Sequence, residues 1–162
     1  MSNEVKLSKP FVRDAVLADC AELAATMRQE DVQELYHHSR TCPLDSLVNG
    51  FECGNCKTVE WQGRVVAMFG VSGELHGAGV CWMLASDDLV KIKKSFLKEC
   101  HKYVSDMHKD YPVLGNMVWA GNAVHIQWLK WLGFQFQPAV ACGPDGELFH
   151  EFFKVREDVW NT

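Results

Sequence analysis

The stretch Asn122-Ala-Val-His-Ile-Gln-Trp-Leu-Lys-Trp-Leu-Gly133-Phe134 decides the reading of this chain. Asparagine is a favoured helix cap and glycine a favoured stop, and no breaker lies between them, so a helix from Asn122 to Leu132 is expected. Upstream, Val113 to Ala120 (VLGNMVWA) reads as a strand after Pro112, and downstream Phe134 to Gln137 reads as another. A strand, a capped helix and a strand in immediate succession mark an α/β domain.

Working toward the N-terminus, a helix of about residues 88–109 carries Leu89, Ile92, Phe96, Cys100, Tyr103, Val104 and Met107 at helical spacing, with Lys91, Lys94, Lys98, Lys102 and Lys109 opposite. Before it, Arg64–Val71 (RVVAMFGV) and Val80–Ala85 (VCWMLA) are nearly continuous apolar runs. Such runs indicate strands buried on both faces, with helices outside. Gln62-Gly63 reads as the tight turn of a hairpin that joins a short strand at 57–61. Residues 5–14 give an extended stretch around Phe11 and Val12, and Asp19 is placed to cap a helix holding Cys20, Leu23, Ala24 and Met27. A second helical piece spans 31–39 with Val32 and Leu35, and 40–56 reads as loop, with Pro43, Gly50 and Gly54. Past the central motif, a Gly-Pro-Asp-Gly turn at 143–146 leads to a last strand at 148–155.

The chain has 162 residues, 48% of them apolar and 23% charged, which fits one domain over 1–162. Sixteen basic against 21 acidic residues give a net charge of −5 and argue against a nucleic-acid binder. No apolar run approaches the length of roughly 18 residues that a membrane span needs, and MSNEVKLSKPF lacks the apolar core of a secretory signal. A cytoplasmic, reducing location is therefore expected, with the seven cysteines (20, 42, 53, 56, 81, 100 and 142) as free thiols. Cys53-Gly-Asn-Cys56 could be half a zinc site, completed by Cys42, His37 or His38, or a redox pair. No second spaced pair and no βαβ setting accompany it, so two thiols in a loop is the preferred reading and no metal is expected.

The element order and the Asn122–Phe134 block resemble the GNAT (Gcn5-related N-acetyltransferase) superfamily, in which a strand ends in an Asn-opened helix that runs into Leu-Gly-Phe. Phe11-Val-Arg-Asp-Ala-Val-Leu-Ala-Asp-Cys-Ala-Glu-Leu is similar to that family's opening strand and helix. More narrowly, VCWMLASDD (80–88) with VWAGNAVHIQWLKWLG (118–133) looks like small GNAT-like proteins of short-tailed bacteriophages, of the internal virion type. The resemblance implies a mixed, mostly antiparallel sheet of six or seven strands with about four helices, splayed between strands 80–85 and 114–120.

It also implies acetyl-CoA in the splay, its pantetheine arm paired like an added strand with the backbone of Cys81, Trp82, Met83 and Leu84. Val118, Trp119 and Ala120 would form the opposite wall, although Trp82 and Trp119 equally suit a core. Asn122 and His125 would lie beside the cofactor. The family holds pyrophosphate on a glycine-rich turn at a helix N-terminus. Here Ser86-Asp-Asp-Leu-Val-Lys-Ile-Lys-Lys-Ser95 has no glycine. Lys91, Lys93 and Lys94 could hold the phosphates instead, or Ser86, Asp87 and Asp88 simply cap the helix and the lysines form its wet face. The proton-donating Tyr of many members is Leu129 here. Glu74 and His76, before the splayed strand, are the candidate bases, with Glu60 and His125 behind them. Glu30, Asp31, Glu34, Asp45 and Glu52 would suit a cationic acyl acceptor or an ordinary solvated helix.

Two functions follow: an acetyl-CoA-dependent N-acyltransferase acting on an amine, such as a protein lysine or N-terminus of a phage host, or an inactive GNAT-fold phage protein that is a virion component or binds a host protein.

Overall fold

The structure, a computed structural model, describes residues 9–158. The expected extended stretch at 5–14 therefore falls partly outside the described residues, and its visible part is β1 (Phe11–Asp14). Helices α1 (Leu17–Thr26), α2 (Gln29–Ser39) and α3 (Pro43–Glu52) follow, then strands β2 (Lys57–Trp61), β3 (Arg64–Leu75) and β4 (Ala78–Ala85). A 3-10 turn (Asp87–Val90) leads into α4 (Lys93–Asp110). The chain ends with β5 (Val113–Trp119), α5 (Ala123–Trp131), β6 (Gln135–Phe136), β7 (Val140–Cys142) and β8 (Glu147–Val155).

These strands make one sheet in the order β1-β2-β3-β4-β5-β8-β6, with β7 also on β8. Every pairing is antiparallel except β4–β5. That parallel pair is held at only two positions, Gly79 with Leu114 and Val80 with Gly115, and then splays. The sheet is the expected mixed, mostly antiparallel one; among the described residues it has eight strands, with five α-helices, against the six or seven strands and about four helices that the resemblance implies.

The sheet's two faces bury separate cores, which is why β3 reads as an unbroken apolar run. On one face Phe69, Met83, Leu114, Val118 and Phe152 meet α4 and α5 through Phe96, Cys100, Val104, Trp128 and Leu129. On the other, Met68 and Leu84 meet Cys20 and Leu23 of α1 and Leu47 of α3. Cys20, Cys81 and Cys100 are thus small core residues, and all seven cysteines are free thiols. The Gln62-Gly63 turn has both residues at positive φ, as a two-residue hairpin requires.

Three local expectations change. The 40–56 segment is mostly helix, and its Gly50 exists for packing: a Cβ there would sit 2.5 Å from Cζ2 of Trp82. Asp19 does not precede α1 but sits inside its first turn. Its carboxylate accepts from the Val16 N–H (2.9 Å), from Arg13 (2.8 and 2.9 Å) and from the Thr58 hydroxyl (2.8 Å). The expected 88–109 helix is broken at Lys91–Ile92, between the 3-10 turn and α4.

Two predictions follow. Burial opposes the charge on Asp19, but the Arg13, Val16 and Thr58 hydrogen bonds outweigh it and hold its pKa below the ordinary 3.8. A group depressed on folding stabilises above its unfolded pKa and loses that contribution as pH falls through its folded pKa. Asp19→Ala should therefore cost about 2–3 kcal/mol in urea unfolding at neutral pH, and the cost should vanish in strong acid. Gly50→Ala adds helix propensity worth about 1 kcal/mol but forces the Trp82 ring aside at a cost of about 1–3 kcal/mol. It should lower the melting temperature.

Candidate functional site

Where β4 and β5 diverge, their facing peptide groups lose ladder partners, and a buried peptide group must find another. Here the partners come from the start of α2. Ala85 N–H donates to Asp31 Oδ2 (3.0 Å), and Ala85 C=O accepts from the Arg28 N–H (2.8 Å). On the opposite wall, Trp119 N–H donates to Glu34 Oε1 (2.8 Å). Deeper in the wedge, Asn116 Nδ2 donates to the Cys81 carbonyl (2.9 Å).

Arg28, Asp31 and Glu34 lie three residues apart, so one helical face carries all three into the wedge. Each is buried, Asp31 to 2% exposure and Arg28 to 3%. Arg28 Nη1 binds Asp31 Oδ1 at 3.0 Å, and its Nη2 approaches Asn122 Oδ1 (3.5 Å) and Glu30 (3.4 Å). Asn122 is fully buried and donates from Nδ2 to Asp31 Oδ1 at 2.9 Å. It holds the expected position at the start of α5, but its side chain serves this network and makes no cap hydrogen bond.

Burial, with the Asp31 charge adding to it, pushes the Glu34 carboxyl up to about 8 against the Trp119 and Asn122 hydrogen bonds and the Arg28 charge. His125 faces Glu34, with 3.9 Å between Nδ1 and Oε2. That is too long for a hydrogen bond, and Nδ1 has no partner. Burial pulls the imidazole pKa below its ordinary 6.5; nearby Asp31 raises it and Arg28 lowers it. At neutral pH the ring is neutral and Glu34 protonated, so the network's ion pairs are those of Arg28 with Asp31 and, at 3.4 Å, with Glu30.

The wedge opens on one side to a cleft of about 320 Å³, lined by Glu34, Ser46, Asn49, Met83, Asn116 and His125 among others. On the other side lies a small apolar cavity of about 70 Å³ walled by Met83, Phe96, Cys100, Trp128 and Phe152. Since Ala85 turns its N–H and C=O away from β3, the two-residue alternation of the strand directs those of Met83 into the wedge as well.

The expected site residues are dispersed. Glu74 and His76 are exposed at the tip of the β3–β4 hairpin and do not line the cleft. Trp82 and Leu84 pack toward α1 and α3, and Met83 toward α4. Lys91 pairs with Asp88 (3.2 Å), Lys93 lies over the Trp131 ring (4.1 Å), and Lys94 is exposed. The turn before α4 keeps its amides for itself: Asp88 N–H donates to Ser86 Oγ, Leu89 N–H to Ser86 O, and Lys91 and Ile92 N–H to Asp88 O. Acetyl-CoA would therefore meet an atypical site: four amides of the turn are engaged, the Cys81 carbonyl and both Ala85 peptide groups already have partners, and the Met83 peptide groups are left facing the wedge.

Of the acidic residues weighed as an acceptor surface, Asp45 and Glu52 are exposed, while Asp31 and Glu34 are buried in the wedge. Their three-residue spacing with Arg28 was the available signal. Cys42, Cys53, Cys56 and His38 do not converge; among the described residues the group whose ligand atoms do, within 4.8 Å of one another, is Asp31, Glu34 and His125.

A family model described as "Bacteriophage T7, probable scaffold protein Gp13" matches residues 55–139, just over half of the chain. A curated relative, the probable scaffold protein gp13 of Escherichia phage T7, is 32% identical over 102 residues, covering 60% of this chain and 70% of that protein. Among solved structures, a ribosomal-protein-alanine N-acetyltransferase from Brucella melitensis superposes with a TM-score of 0.65 at 21% identity, covering 90% of this chain and 99% of that one. A ribosomal-protein-S5-alanine acetyltransferase from Vibrio fischeri gives 0.65 at 15% identity, over 94% and 96%. The fold is that of the GNAT acetyltransferases.

One prediction follows from the network. Asp31→Ala leaves the Arg28 guanidinium buried without its carboxylate and should cost about 3–5 kcal/mol in urea unfolding. Adding Arg28→Met to the same chain should recover part of that loss, because it removes the uncompensated charge.

Proposed function

We propose, for a chain that belongs to the family of the bacteriophage T7 probable scaffold protein Gp13, a structural role in a phage particle or its assembly, carried by a GNAT fold without catalysis. The observation that carries this reading is the engagement of the wedge's strand edge by the chain itself. Asp31 and the Arg28 backbone hold the Ala85 peptide groups that an added strand would need, and Asn116 holds the Cys81 carbonyl. The glycine-free turn at 86–92, which follows directly on Ala85 and has Asp88 tied to Arg64 and Lys91, adds to it. Leu129, buried at the family's proton-donor position, supports it too.

The second reading, an acetyl-CoA-dependent N-acyltransferase acting on an amine of a host protein, has one observation in its favour beyond the fold. Glu34, with a pKa near 8, borders a cleft into which the Met83 backbone faces. A carboxylate poised near neutral pH suits a general base.

Titration with acetyl-CoA separates the two. A ligand at one hundred times its Kd stabilises a protein by about 2.7 kcal/mol. Millimolar acetyl-CoA is expected to leave the melting temperature unchanged and to give no heat of binding. The protein should be found in assembled particles of the phage that encodes it, or be required for their yield. Saturable cofactor binding, or acetylated product from an amine substrate, would overturn the structural reading.

A further inference from the structure

We propose that Glu34, His125 and Asp31 form a binding site for one divalent transition-metal ion, of the zinc or cobalt type, entered from the adjacent cleft. The inference is independent of whether the chain is catalytic.

The geometry starts from the gap between Glu34 and His125. The Nδ1 atom of His125 is buried, has no partner and points at Glu34 Oε2 across 3.9 Å. His125 itself is more than nine-tenths buried, at 8% exposure. An orphaned nitrogen in such a place carries the desolvation cost of an unmade bond. Metal bonds of about 2.1 Å from nitrogen and oxygen span 3.9 Å at an angle of about 135°, so both atoms can reach one ion with little movement.

Lone-pair counting leaves room for a third ligand. A carboxylate offers about four acceptor sites. Asp31 uses three of them, for Arg28, Asn122 and the Ala85 N–H, which leaves one on Oδ2. Glu34 commits Oε1 to Trp119 and Asn122, which leaves Oε2 for the ion. The ligand atoms of the three residues lie within 4.8 Å of one another, against about 3.4 Å between the ligands of a tetrahedral ion, so Asp31 must close in by up to about 1.4 Å. The cleft can supply water for a fourth position, since Glu34 and His125 both line it.

Charge and chemistry agree with this assignment. With Asp31, Glu34 and the neighbouring Glu30 ionised, three negative charges face the single positive charge of Arg28, so a cation enters a net negative site. An ion would take the place of the Glu34 proton, which leaves to solvent. Two carboxylates and an imidazole suit zinc, cobalt or manganese rather than soft thiophilic ions. Arg28 and Asn122 orient Asp31 from behind, as second partners of metal-bound carboxylates commonly do.

Cobalt(II) alone is the probe, because its spectrum separates oxygen and nitrogen ligands from thiolates. The protein should carry Cys42→Ser, Cys53→Ser and Cys142→Ser, which removes the accessible thiols. One cobalt ion per chain is expected, with visible d–d absorption, no thiolate charge-transfer band and paramagnetically shifted His125 ring protons. Glu34→Gln keeps an acceptor for the Trp119 N–H, and His125→Gln keeps a polar group in place. Each should weaken binding at least about tenfold while leaving the far-ultraviolet circular dichroism native. The proposal is overturned if the folded parent retains no cobalt, if the His125 protons do not shift, or if either folded variant binds as well as the parent. Should both variants unfold, the His125 shift in the parent decides the matter alone.

Discussion

A sheet whose two central strands part after two residues leaves peptide groups facing a gap. In a buried place each such group must be hydrogen-bonded or carry a cost of about 1–3 kcal/mol. This is the constraint on which the rest of the molecule depends. Among the groups concerned are Ala85 N–H and C=O on one wall and Trp119 N–H on the other. Helix α2 satisfies all three from its first turns, and that fixes where α2 sits. Met27, next to Arg28, even forms a bridge with Ser86 and so extends the edge of β4 by one step. The position of α3 follows in turn, because Gly50 allows its backbone to lie against the Trp82 ring.

Closing the gap with carboxylates brings charge into the interior, and the network's composition handles it. Arg28 neutralises Asp31 in a direct 3.0 Å contact. Glu34 remains protonated at neutral pH because burial disfavours its charged form and the Asp31 charge adds to that. His125 remains neutral for the same dielectric reason. Asn122 joins the members, reaching Asp31 and, at 3.5 Å, both Glu34 and Arg28. An asparagine that the sequence places at a helix start is thus held there by a tertiary hydrogen bond across 91 residues of chain.

The Asn122–Phe134 block was legible because helix start, stop and apolar spacing are local properties, and Gly133 does end α5 with a φ of +88°. The continuous apolar runs of β3 and β4 announced two covered faces for the same reason. Helix α3 was hidden because Pro43, Gly50 and Gly54 look like loop residues. In fact Pro43 occupies the first helical turn, where its missing N–H costs nothing, and Gly50 answers to a distant tryptophan. The wedge network escaped because Asp and Glu on a short helix are usually solvated, and only the position of the parted strands makes them interior. Glu74 and His76 are close to β4 in sequence but not to the wedge in space. Because β3 runs on to Leu75 and β4 starts at Ala78, the hairpin carries both to its exposed tip.

The lysine-rich helix shows how the same reasoning handles charge. Lys91, Lys93 and Lys94 are the residues that the family resemblance offers to a phosphate, yet the turn before them is arranged around its own donors. Asp88 accepts from the Lys91 and Ile92 amides through its carbonyl and meets Lys91 and Arg64 through its carboxylate. Lys93 is drawn over Trp131. A glycine-rich turn keeps its amides pointing outward because no side chain competes for them. A Ser-Asp-Asp turn folds its amides inward because Ser86 and the Asp88 carbonyl accept them. Ala85 of the wedge directly precedes the turn that begins at Ser86, and the same physical event has happened in both: donors that a ligand would need have found acceptors within the chain. Two separate local sequence choices with one consequence support the structural reading more strongly than either substitution does alone.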